Sequence, residues 1–325
     1  MTNIHDDRPF SLLKISQIAA LAFCLTLGTR AIYYSLSEGF CIERIATPLC
    51  HNESLLLPSP TLEKLEQLSQ VTSQPFFYMK KGSQAYAFIS QDKKFVLKLF
   101  KYHHMQPAEW LLAIPLPPPL STYRDSLVQR RRYKIDLTLN SYRIAASQLQ
   151  NECALLYAQM LPTNTYKLPL TIYDSIGRTH SLDLSHYGFA IQHAAQLVQP
   201  SLERWIENNE LQDARKALFS LVQLFIQRSS LGVGDVDPDL HKNAGFVGTQ
   251  AIFIDIGSFT NDDRIMKRDV MKRDIEKTFS SLLRWLQKRS PELATYLQSL
   301  ISETTKEWTQ TPLQRPSCEK VPLDE

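Results

Sequence analysis

The sequence predicts an α+β chain: a small antiparallel sheet, then a mostly helical region, with a hydrophobic helix in front of both. Three observations carry this. Residues 76–101, FFYMKKGSQAYAFISQDKKFVLKLFK, alternate β-rich runs with turn signals. Residues 212–229 place Ala217, Leu218, Leu221, Leu224 and Phe225 on one side of a helix, and 270–288 and 291–304 read as further helices. Residues 12–36 form the most apolar window, LLKISQIAALAFCLTLGTRAIYYSL.

Composition sets bounds. A chain of 325 residues holds one large or two modest domains. A net charge of +3 with no array of aromatic and basic residues argues against a nucleic-acid partner. Five cysteines without a CxxC pair argue against a zinc site. Cys41 and Cys50 could pair if their region lay outside the cytoplasm, a point the sequence leaves open.

Residues 1–36 are read as a transmembrane or signal segment. The run 15–28 holds no charge, and a spanning helix needs about 20 apolar residues. Lys14 and Arg30 can snorkel, and Tyr33 and Tyr34 can sit at an interface. A signal-peptide core and a buried amphipathic helix are the alternatives, so the chain is expected to be membrane-associated or secreted, with its side of the membrane open. Residues 37–75 read as a connector with one helix, started by Pro58-Ser59-Pro60-Thr61 and spaced by Leu62, Leu65 and Leu68.

Strands are expected at 76–80, 86–90 and 95–100. Lys98 alternates with Leu97 and Leu99 and so points to the other sheet face. Residues 102–145 form an insertion in which Pro107, Pro115 and Pro117-Pro118-Pro119 make a stiff link. Arg130-Arg131-Arg132 fall in a long helical pattern from about 121 to 160; they read as a solvated face, or as a contact to an acidic partner or anionic lipid. Within that pattern, 149–160 is expected to be a helix carrying Glu152. Two more strands, 168–173 and 189–192, complete a first unit over 76–198; helices from 199 to 308 build the second, and 309–325 is a polar tail.

Residues 231–259 carry the chemistry. Five of the ten glycines fall there, around Asp235, Asp237, Asp239, Asn243 and Asp255. A short apolar strand at 251–253 delivers Asp255, expected to be buried at its end. An Asp- and Asn-bearing loop beside a strand ending in Asp-Ile-Gly offers hard oxygen ligands for Mg²⁺ and a carboxylate for a hydroxyl nucleophile. An acidic surface loop with a turn-forming Asp-Pro is the plain alternative, and the twelve-residue calcium-loop pattern is absent.

At these residues the chain resembles the protein-kinase-like phosphotransferases. Residues 234–243 resemble the catalytic loop, and Asp255-Ile256-Gly257 resembles the Asp-Phe-Gly motif with Ile for Phe. Gly82-Ser83-Gln84-Ala85 resembles a reduced glycine-rich loop, and Val96-Leu97-Lys98 the strand lysine that holds the phosphates. Residues 192–196 fall where the family's hinge meets adenine. The resemblance implies a two-lobed fold with a sheet-based N-lobe and a reduced helical C-lobe, and use of ATP and Mg²⁺. It implies Asp237 as the catalytic aspartate, with Asp235 second; Gly82, Ser83, Lys98 and its partner Glu152 at the nucleotide; and Asn243 and Asp255 on the metal. The chain departs from the family where Pro238 stands five residues before Asn243, with Asp237 six before and Asp239 four before, and His-Arg-Asp is missing. A catalytically inactive pseudokinase or interaction module, and a membrane-associated structural protein, remain the other readings; the acceptor or protein partner is open.

Overall fold

Residues 12–46, 57–105 and 109–307 are described in the computed structural model of the chain. Pro107, Cys50 and the expected tail 309–325 lie outside them. Helix α1 (Leu12–Leu36) matches the apolar window. Ser16–Leu36 is long and apolar enough to cross a membrane, and its side chains are exposed. A short helix α2 (Ile42–Ile45) and helix α3 (Leu62–Thr72) follow, and the Thr61 hydroxyl caps α3 by accepting from Lys64 N at 3.2 Å.

Strands β1 (Phe76–Lys81), β2 (Ala85–Ser90) and β3 (Phe95–Phe100) form the expected antiparallel ribbon. After short helices α4 (Tyr102–Met105) and α5 (Glu109–Leu112) comes the long α6 (Leu120–Gln148). Then follow β4 (Leu155–Gln159), β5 (Pro169–Tyr173), β6 (Thr179–Asp183), β7 (Phe189–His193) and β8 (Gln196–Leu197). Seven strands make one sheet in the order β4-β7-β3-β2-β1-β5-β6, antiparallel except at β1–β5. The β5–β6 hairpin, only half foreseen from the sequence, widens the sheet at its β1 edge.

The second lobe holds α7 (Val198–Glu207), α8 (Leu211–Ser230), β9 (Val233–Asp235), α9 (Leu240–Asn243), β10 (Ala244–Val247), β11 (Gln250–Phe253), β12 (Phe259–Asn261), α10 (Arg268–Arg289) and α11 (Pro291–Glu307). Its strands form two small sheets, β11-β10 extended by β8 of the first unit, and β12-β9. The two-lobed α+β architecture, with a small helical second lobe and an apolar helix in front, is therefore present.

Two apolar cores divide the sheet by face. Leu97, Leu99, Tyr86, Phe88, Phe189 and Ile191 pack outward against Leu68, Val71 and Phe76. Phe100 and Ala190 face the helical lobe with α6 and α8. Three expectations need correction. Residues 149–160 are a turn followed by β4: LLYAQ is a short apolar run that periodicity alone cannot assign, and buried against β7 it makes a strand. The long helix accordingly stops at Gln148. Residues 37–46 are also more than a connector, because Phe40 (1% exposed) and Ile45 (0%) are buried in the outer core.

Candidate functional site

The site lies where the inner sheet face meets the acidic loop. Lys98 pairs with Ala87 on one side and Ala190 on the other, so small side chains flank it on the face toward the helical lobe. Its Nζ donates to the carbonyl of Ile254 at 2.5 Å. Burial pulls the Lys98 ammonium below its usual range, and the neighbouring Asp255 carboxylate acts against that shift.

Asn243 organises the other side. Its Nδ2 donates to the carbonyl of Asp237 at 2.6 Å. Its backbone carbonyl accepts from Ile254 N at 2.7 Å and Asp255 N at 3.3 Å. The side-chain nitrogen is thus engaged, and the amide oxygen Oδ1 remains as an acceptor. Asp255 is exposed, two residues past β11, where the sequence suggested burial: β11 ends at Phe253, and the chain then turns out toward the cleft. One Asp255 oxygen, Oδ1, accepts from Gly257 N at 3.1 Å and so caps the glycine turn.

The three loop aspartates separate by environment. Asp237 is exposed, while its backbone is pinned by Asn243 and by Asp239 N at 2.8 Å. Asp239 caps α9, its Oδ1 accepting from His241 N at 3.1 Å. The Asp235 side chain is 3% exposed and accepts from Ser258 Oγ at 2.6 Å and Asp237 N at 2.9 Å. Burial pushes its pKa up, against those bonds and the charge of Arg228. Asp235 therefore braces the loop from behind, and Asp237 is the carboxylate facing solvent.

Glu152 is a correction. It lies in the turn before β4, and its backbone carbonyl accepts from Phe253 N at 2.8 Å. Among the described residues no ion pair joins it to Lys98. The neighbouring Cys153 is fully buried, and the field of Lys98 acts on its thiol.

Gly82 and Ser83 are exposed at the β1–β2 turn. Lys101 Nζ donates to the Gly82 carbonyl. Gln84 reaches across the cleft, its Nε2 donating to the Gly257 carbonyl at 3.1 Å.

Four contributors escaped sequence reasoning. Ser141 of α6 bonds the Ile256 carbonyl and accepts from Phe259 N at 2.7 Å, clamping both sides of Gly257. Gln192, at the start of the expected hinge, donates to the carbonyls of Cys153 (2.8 Å) and Phe253 (3.2 Å), joining the lobes behind Lys98. Arg228 is buried between Phe225 and Phe253; its Nη2 donates to Asp274 at 2.7 Å and its Nη1 lies 3.9 Å from Asp235. Its signal was readable: Arg228 falls three residues after Phe225 and seven after Leu221, on the apolar side of a helix. Ser258 gave no such signal.

Among the described residues no cluster of three His, Cys, Asp or Glu could hold a metal by itself. A Mg²⁺ that brings phosphate and water ligands with it would need fewer protein oxygens than such a cluster supplies.

No protein-family description matches the chain, and no curated protein matches it. Solved structures of WbdD do. One high-resolution structure shares 13% identity, covers 72% of this chain and 47% of WbdD, and superposes with a TM-score of 0.30. A co-crystal of WbdD with the kinase inhibitor LY294002 shares 14% identity over 70% of this chain and 45% of that chain, TM-score 0.30. A structure described as the bifunctional kinase-methyltransferase WbdD gives 13%, 70% and 45%, TM-score 0.28. The chain spans less than half the length of these structures. Likeness at this level carries no residue roles.

Proposed function

We propose that the chain is a kinase-like phosphotransferase that uses ATP and Mg²⁺ to phosphorylate a hydroxyl group, held at a membrane by α1. The observation that carries this is the double tie at Asn243. Its side chain holds the Asp237 backbone, and its own backbone holds Ile254 and Asp255. Asn243 thus ties together the segments that carry two exposed carboxylates, Asp237 and Asp255, and Lys98 is bonded to Ile254 next to Asp255.

In this reading Asn243 Oδ1 and Asp255 would hold Mg²⁺, whose charge would offset that of the phosphates. Lys98 steadies the phosphates with its ammonium. Asp237 accepts the proton of the acceptor hydroxyl as that oxygen forms its bond to the γ-phosphorus; the bond to the β–γ bridging oxygen breaks, and ADP leaves. Catalysis comes from positioning and charge compensation.

A pseudokinase is favoured instead by one specific contact: Gln84 lies against Gly257, across the mouth of the site. The two separate in one experiment on the full chain in detergent. Mg²⁺-dependent ATP binding is read as a melting shift, and turnover as ADP formed. Loss of turnover in Asp237→Asn, with the ATP shift retained, supports the kinase. An ATP shift without turnover in the wild type supports the pseudokinase. Absence of any ATP shift sinks both.

A further inference from the structure

We propose that Lys101 is a positioning residue for ATP: its buried side chain grips the glycine-bearing turn and sets where the free N–H groups of that turn stand over the phosphates. This rests on the nucleotide reading of the cleft and gives a role to a lysine that the reading does not use.

Lys101 directly follows β3, three residues after Lys98. It holds the β1–β2 turn at two points. Its backbone N donates to the Gln84 carbonyl at 2.9 Å, and its Nζ donates to the Gly82 carbonyl. Gly82 N closes the turn by donating to the Ala85 carbonyl at 2.9 Å. Between these ties the amides of Ser83 and Gln84 have no acceptor among the described residues. Gln84 Nε2 then donates to the Gly257 carbonyl at 3.1 Å, two residues past Asp255. A grip on Gly82 and Gln84 therefore fixes two unpaired N–H groups beside the Asp255 turn, an arrangement that suits phosphate oxygens.

The grip has a rigid mount. The ammonium lies 4.2 Å from the centroid of the Tyr86 ring. Tyr86 is fully buried and packs edge-on to Phe40 at 5.1 Å, and its hydroxyl donates to the Gly39 carbonyl at 2.6 Å. Tyr86 pairs with Leu99, and both belong to the outer core. The lysine thus reaches the turn from the outer sheet face and leaves the cleft side open to a ligand.

Packing alone does not call for a charge at this place. Lys101 is 1% exposed, and among the described residues it joins no carboxylate in an ion pair. Burial brings its pKa down to about 8; Lys81, Lys134 and Arg44 push the same way, and Glu38 opposes them. Gly82 is exposed, so water can reach the turn in place of the ammonium. A methionine would fill the same space without the cost of a buried charge. What the ammonium adds is a directed bond on the turn.

The test compares the full chain in detergent with Lys101→Met and Lys101→Arg. Affinity for ATP with Mg²⁺ is read from melting shifts, and hydrogen exchange of residues 80–86 is followed by mass spectrometry. Lys101→Met should bind ATP about tenfold more weakly, as expected for one lost bond from a charged donor. Exchange at 80–86 should quicken, while residues 211–230 and the melting temperature of the empty protein stay as they are. Lys101→Arg keeps a charged donor and should restore most of the affinity. Wild-type affinity in Lys101→Met overturns the proposal. A lower melting temperature with faster exchange throughout also overturns it, because that marks a packing role. Equal loss of affinity in Lys101→Arg does the same. Absence of an ATP shift in the wild type is a separate failure: it overturns the nucleotide reading, and the role of Lys101 toward ATP falls with it even where the turn still loosens in Lys101→Met.

Discussion

The two sides of the cleft are built differently. On the helical side each candidate residue is tied by several bonds within the lobe: Asn243 to Asp237 and Ile254, Asp235 to Ser258 and the Asp237 amide, Ser141 to both flanks of Gly257. On the sheet side the β1–β2 turn is exposed and rests on Lys101 and the single reach of Gln84. The acidic side is thus held by more bonds than the exposed β1–β2 turn. In the proposed kinase reading this contrast would correspond to preorganised charge under a movable cover.

The strongest way to break this contrast is at its charged centre. Asp255→Asn should abolish Mg²⁺-dependent ATP binding and turnover, measured by melting shift and ADP release, because an amide gives a neutral ligand where charge is needed. The empty protein should keep its fold, since Asn can also make the turn cap, while the buried Lys98 ammonium loses the one carboxylate charge named as favouring it and should titrate lower still. Lys98 gives a test with two opposed readings. Because burial lowers its pKa, its proton leaves below the ordinary 10.5 as pH rises. The free enzyme's kcat/KM for ATP should therefore fall at a lower pH than an ordinary lysine allows. Stability moves the other way. A depressed lysine is penalised while it stays charged, so melting temperature should rise as pH passes from the folded pKa toward 10.5. Lys98→Met should abolish both trends; a binding limb that persists in it assigns the titration elsewhere.

Packing comes next. Phe40→Ala in the full chain should cost about 3–5 kcal/mol in denaturant unfolding, because a fully buried ring leaves the outer core. For the same reason a chain beginning near residue 52, which loses Phe40 and Ile45, should melt well below the full chain. Ser141→Ala removes two bonds on the buried turn and should cost about 1–3 kcal/mol, with ATP affinity lowered in proportion. An unchanged melting temperature would show that the clamp holds nothing.

The same contrast explains what the sequence made legible. Strands 95–100 and 76–81, helix 211–230 and the Asp–Asn–Asp order stood out because alternation, helical spacing and clustered Gly and Asp are local signals. Glu152 failed because LLYAQ fits a buried helix as well as a buried strand, and only its pairing with β7 decides. The buried outlook for Asp255 failed because strand length, three residues or four with a turn beyond, is a tertiary outcome. The boundary near residue 75 failed for a different reason. Phe40 and Ile45 look like connector until the outer sheet face, 30 or more residues on, shows itself short of cover. Asp237 over Asp235 rested on resemblance alone; what separates the two in the structure, the burial of Asp235 and the exposure of Asp237, is a tertiary outcome that no spacing rule foresees.

The smallest effect tests the cover itself. A Cβ built on Gly257 would meet Gln84 Oε1 at 1.8 Å, and Cδ at 2.7 Å, while the backbone at Gly257 is not in the left-handed region. The obstacle to alanine is thus the end of a flexible side chain, not strain. Gly257→Ala should displace Gln84 and lose one bond, about 0.5–1.5 kcal/mol of stability. Gln84→Ala should cost a similar amount, and adding Gly257→Ala to it should cost nearly nothing more. A double-mutant cycle therefore gives a coupling close to the whole single-mutant effect. If the cover obstructs the site, both variants should bind ATP about 2–10-fold more tightly than the wild type, the free energy of the lost bond reappearing as affinity. If instead Gln84 helps close the loop over the phosphates, affinity should fall by the same factor in both. Equal affinity with full coupling in stability would mean that the bond joins the lobes without touching the ligand's path, and the sheet side would then be as settled in advance as the acidic side.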